Sequence, residues 1–84
     1  MSIIQSKKFG PEDSFETQNV EYERCNFKNI KFEWTQFTNT KMNDCTFDKC
    51  EFESCNFQDV NFDTVTFDNC RLSNSRFIDS NLEN

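Results

Sequence analysis

Large apolar residues recur at every fifth position of this chain from Tyr22 to Leu82, with polar residues between them. The series runs Tyr22, Phe27, Phe32, Phe37, Met42, Phe47, Phe52, Phe57, Phe62, Phe67, Leu72, Phe77, Leu82. Two places before each stands a small or β-branched residue, from Val20 and Cys25 through Cys45, Cys50 and Cys55 to Ser75 and Ser80. In an extended segment residues two apart share a face, so the two members of each pair point the same way. The other positions, mostly Asn, Asp, Glu, Lys, Thr and Gln, point outward. Because five is odd, one continuous strand would turn every second Phe into water. An α-helix advances about 500° per unit and would scatter the rings around its cylinder. The pattern therefore predicts short extended segments, each followed by a bend that resets the phase. Together they wind into a solenoid with the rings inside.

Units such as Cys25-Asn26-Phe27-Lys28-Asn29, Cys55-Asn56-Phe57-Gln58-Asp59 and Val60-Asn61-Phe62-Asp63-Thr64 resemble the pentapeptide-repeat proteins. In that family a small residue precedes Asp or Asn, then Leu or Phe, then two variable polar residues. The resemblance covers residues 20–84, thirteen consecutive units. It implies an all-β fold, a right-handed quadrilateral β-helix with one unit per side and four per coil. Thirteen units then make just over three coils, a rod about 15 Å long at about 4.8 Å per strand layer. The small slot departs from the family's frequent Ala, holding Cys, Val, Thr and Ser, all small enough to face inward.

At 84 residues this is one domain, near the size at which burial becomes marginal. Only 35% of residues are hydrophobic, but they are concentrated in the inward columns. No apolar run is long enough for a membrane span or a secretory core, so a cytoplasmic protein is expected. All five cysteines occupy the inward small slot, and the spacing of Cys45, Cys50 and Cys55 is the repeat period itself. With no His and no close Cys pair, a metal site is not expected, nor is any cofactor. Four units per coil place Cys25 against Cys45 and Cys50 against Cys70, but parallel side-chain directions disfavour a bridge. Reduced thiols acting as small hydrophobes are expected.

Residues 1–19 fall outside the register and hold the only Gly and Pro, as Gly10-Pro11, with Ile3, Ile4, Phe9 and Phe15. An open solenoid end exposes core and strand edges, so this segment reads as an N-terminal cap on a 20–84 β-helix, with Phe15 tucked inward. No comparable cap follows Leu82. Phe77, Leu82 and Ile78, the last an apolar residue in an outward slot, are candidate contacts of a homodimer through the C-terminal coil. Trp34 lies at a corner; it either anchors a partner or, the preferred reading, packs on the N-terminal segment.

The net charge of −6 is unevenly spread. Residues 1–43 hold six acids and six bases, and residues 70–84 two of each. The excess lies in 44–68, where Asp44, Asp48, Glu51, Glu53, Asp59, Asp63 and Asp68 face Lys49 alone, all seven acids in outward slots. Such a segment spans roughly 6 Å of solenoid, over which DNA would carry three or four charges. One reading is a solvated surface kept for solubility. The other is a DNA mimic, an acidic rod that occupies the basic DNA-binding site of a partner. Resembled relatives that protect or inhibit DNA gyrase work this way. The shortness of the band favours a site reading short duplex, such as that of a CRISPR effector, with gyrase second. The competing class is a non-enzymatic scaffold or protein-interaction module with no nucleic-acid connection. An enzyme is disfavoured by the lack of His and of a Gly-rich phosphate loop. An acidic chain without a basic patch is also a poor direct binder of nucleic acid.

Overall fold

The computed structural model of the chain describes residues 2–78. Among them there is no helix, and all strand pairs are parallel. The reset predicted from the period of five is a left-handed backbone corner. Asn19, Arg24, Asn29, Trp34, Asn39, Asp44, Lys49, Ser54, Asp59, Thr64, Asn69 and Asn74 all have φ between 50° and 58°. L-residues pay for this conformation, and Asn and Asp tolerate it best, which explains their weight at this slot.

Between corners lie short strands: β1 (Ser2–Gln5), β2 (Lys8–Phe9), β3 (Gln18–Glu23), β4 (Asn26–Lys28), β5 (Lys31–Glu33) and β6 (Gln36–Asn43). Then come β7 (Thr46–Asp48), β8 (Glu51–Glu53), β9 (Asn56–Asp63), β10 (Thr66–Asp68), β11 (Arg71–Ser73) and β12 (Arg76–Ile78). The long strands β6 and β9 run through a corner, at Asn39 and Asp59. From β3 onward every strand pairs with the chain 20 residues away, as in Thr46↔Thr66 and Phe32↔Phe52, so four units make one coil. The four faces are named here by their first inward ring: Tyr22, Phe27, Phe32 and Phe37.

Rings on one face stack and rings across a corner meet edge to face. Phe32 and Phe52 lie 4.8 Å apart at 5°, and Phe37 and Phe57 4.9 Å apart at 7°. Phe32 and Phe37 meet at 5.5 Å and 61°. Both arrangements suit the ring quadrupole. The small slot does more than save space. Cys45, Cys50, Cys55 and Cys70 donate S–H to the carbonyls of Tyr22, Phe27, Phe32 and Phe47, at 3.1–3.4 Å, and Ser75 donates its hydroxyl to that of Phe52. The thiols are therefore weak donors tying coil to coil as well as small hydrophobes, and all five are free.

The N-terminal segment both caps and extends the solenoid. β1 pairs with β3 and β2 with β4, but the offset is 18 residues, as in Ile4↔Tyr22 and Phe9↔Phe27. Ile4 and Phe9 are themselves five apart, so this is one partial coil in a shifted phase, which brings the solenoid to about four turns rather than just over three. After Gly10-Pro11 the chain crosses the open end and places Phe15 against Phe9, Phe27 and Phe32. The hydroxyl of Tyr22 donates to the Glu16 carbonyl, pinning the crossing to the core. The Cα extents are 29 × 27 × 23 Å, so the molecule is a squat block, longer in every direction than the rod of about 15 Å expected from its coil count.

Candidate acidic interface

The corners decide where each outward acid stands. Asp48 and Asp68 are in register on adjacent strands of the Phe27 face, below Lys28 in the same column. Asp44 sits at the corner that leads into this face, and its N–H donates to the Asp63 carbonyl at 3.1 Å. Asp44, Asp48, Asp63 and Asp68 are thus gathered around one face over two coils. Glu51 and Glu53 lie on the next face round, the Phe32 face, and Asp59 stands at the far corner of the Tyr22 face. A partner surface approaching from one side meets the four aspartates without meeting Asp59.

Winding also changes the charge count that a linear window gives. Glu51 is flanked in its ladder by Lys31 on one side and Arg71 on the other. Lys31 Nζ lies 3.6 Å from Glu33 and 3.9 Å from Glu53. The Phe32 face is therefore a mixed-charge surface, and the band expected from residues 44–68 is not continuous around the block. The window missed Lys28, Lys31 and Arg71 because residues 20 apart in sequence are neighbours in space. It missed Glu33 for the same reason, since Glu33 stands in register with Glu53.

Glu51 and Glu53 line an open recess of about 540 Å³ with Phe52, Arg71, Leu72 and Ser73. On the Tyr22 face, Glu23 accepts a 2.7 Å bond from Gln5, which holds its carboxyl below the usual range. Its neighbour Glu21 is held above that range, mainly by its hydrogen bond with Glu23.

Trp34 does not pack on the N-terminal segment as the sequence reading preferred; it is 83% exposed. Its corner carries the side chain outward, while its N–H donates to the Glu53 carbonyl. Phe77 stacks on Phe57 at 4.6 Å and is 36% exposed; Ile78 beside it is 37% exposed. Leu82 lies outside the described residues.

A family model described as a pentapeptide repeat region matches residues 17–84. Among solved structures the chain is similar to QnrB1, a plasmid-mediated fluoroquinolone resistance protein studied in a trypsin-treated form. The likeness is 11% identity over 98% of this chain and 70% of that one, with a TM-score of 0.21, too low to bear on function. No curated protein matches. With the repeat region spanning four fifths of the sequence, and with a coil of four five-residue sides, the chain belongs to the pentapeptide-repeat family.

Proposed function

We propose that this is a non-catalytic binding protein whose Phe27 face presents Asp44, Asp48, Asp63 and Asp68 to the basic DNA-binding site of a partner, in competition with duplex DNA. The observation that carries the reading is the register of Asp48 with Asp68. Like charges directly opposite on neighbouring strands are destabilising, and the fold requires neither, since the other outward column of the same face is filled by Asn26, Thr46 and Thr66. Local rules are broken in this way most often where a surface has a task. Lysines and arginines that ordinarily hold phosphates would relieve the repulsion, and the net charge of −6 would speed encounter.

Two strand layers span about 5 Å, a length over which duplex DNA carries about three charges, or roughly one and a half base pairs. That scale suits a cleft reading short duplex, such as the motif-recognition cleft of a CRISPR effector, ahead of the longer DNA path of gyrase. The test is capture from bacterial lysate at low and at about 0.5 M salt, with Asp48→Lys/Asp63→Lys/Asp68→Lys as the control. DNA-handling proteins retained by the wild type and lost with salt and with the triple substitution are expected. Capture indifferent to both would transfer the reading to the second candidate, a scaffold recognised through Trp34, whose exposure favours it. A homodimer through the C-terminal coil belongs to the same proposal, with Phe77 and Ile78 at the contact. Phe77→Asp should then lower the dimer fraction seen by sedimentation at micromolar protein, and an unchanged fraction would remove this contact from the proposal.

A further inference from the structure

At the N-terminal end, three of the four faces are continued by the partial coil. β1 covers the Tyr22 face and β2 the Phe27 face, and the Thr17 carbonyl accepts from Thr38 on the Phe37 face. The Phe32 face is not continued: β5 is the terminal strand of its three-stranded sheet, with β8 its only strand neighbour among the described residues. Where the missing strand would lie there is a groove of about 330 Å³, bounded by Pro11, Asp13 and Phe15 on one side and Ile30, Lys31 and Phe32 on the other. Its volume admits two or three residues of extended chain.

An open edge is a template for another strand. The sequence along this edge is Ile30-Lys31-Phe32-Glu33-Trp34, which complements itself when reversed. In an antiparallel pair centred on Phe32, Lys31 of one copy faces Glu33 of the other on the outward side, twice. Trp34, 83% exposed at the left-handed corner just past β5, stands beside this pair. We propose that β5 pairs with β5 of a second copy across a two-fold axis, forming a weak dimer at the N-terminal end. This contact is independent of the acidic Phe27 face and of the C-terminal coil. Two opposite-charge cross-strand pairs favour the arrangement. A three-residue strand pair plus one Trp buries far less than a standard interface, so association is expected only at roughly 0.1–1 mM protein.

The experiment uses charge exchange at exposed positions. Lys31→Glu and Glu33→Lys each place like charges opposite one another in the homodimer. In a Phe77→Asp background, which removes the C-terminal contact, each variant alone should therefore remain monomeric by sedimentation where Phe77→Asp by itself shows dimer. Mixed in equal amounts, the two variants restore opposite charges at both positions and should form a heterodimer. The tryptophan emission of Trp34, the only Trp in the chain, should shift in the same mixture. Thermal melts of the separate variants check that each is folded. A Phe77→Asp protein monomeric at about 1 mM, Lys31→Glu or Glu33→Lys variants that still dimerise alone, or a mixture of folded variants that stays monomeric would each overturn the proposal.

Discussion

At the residue scale, the corner slot and the small slot do the structural work. Thr64 is β-branched and sits at φ 58°, a conformation that suits Asn or Gly far better. Thr64→Asn should therefore raise stability by about 1 kcal/mol in urea titration. The opposite sign would mean that the corner is not strained. The inward thiols make a second prediction. Burial pushes Cys45 and Cys50 up from the ordinary 9.0 to about 11, and raises Cys55. A group whose folded value is raised favours the fold below its unfolded value and ceases to do so as pH climbs through the folded one. Stability should accordingly fall between about pH 9 and 11, and Cys45 and Cys50 should resist alkylation at pH 8 until the protein unfolds. Cys70, only partly buried where the other four are buried, should be modified first, as mass spectrometry of a time course would show.

The acidic register offers the sharpest residue-level trade. Asp68→Asn removes a like charge opposite Asp48 and should gain about 0.2–1 kcal/mol of stability while weakening partner binding. A variant that loses both, or gains both, would sever the link between the repulsion and a task.

At the element scale, the Phe27, Phe32 and Phe37 faces are built on columns of stacked rings, and a missing ring leaves a hole that the solenoid has little means to close. Phe52 is fully buried, stacked on Phe32 and edge-on to Phe47 and Phe67. Phe52→Ala should cost about 3–5 kcal/mol, enough to unfold most of so small a domain. Phe77→Ala, at a partly exposed position, should cost much less, and equal losses in denaturant midpoints would argue against column packing as the source of stability. This is also the scale at which the sequence was most legible. Along the sequence the large apolar slot recurs over thirteen units, so the period of five and the four-sided coil could be reasoned from the series beginning at Tyr22. The first partial coil could not. Ile4 and Phe9 are one unit apart, but two residues carry no detectable period, and their offset of 18 from Tyr22 and Phe27 breaks the phase. The corners were read only as polar, although Asn29, Asn39, Asp44, Asp59, Asn69 and Asn74 carried the signal of a left-handed turn.

At the scale of the whole molecule, a coil of 20 residues brings distant parts of the sequence together, and charge has to be counted on that lattice. Counted along the chain, the acidic excess looked like a belt. On the lattice, Lys31 and Arg71 interrupt it on the Phe32 face, and what remains is a compact group of aspartates about the Phe27 face, bordered there by Lys28 and Lys49. The aspartate group spans only two strand layers, so the mimicry proposed above would extend over about one or two base pairs and would call for a narrow basic cleft as counterpart.

The most direct measurement is displacement. A labelled duplex of about 20 base pairs is bound to the captured partner, and its anisotropy is followed as the wild-type protein or the triple lysine variant is added. The account predicts release of the duplex by the wild type, with a midpoint that rises steeply with salt, and no release by the variant. Simultaneous binding of duplex and protein, or equal displacement by the variant, would contradict it.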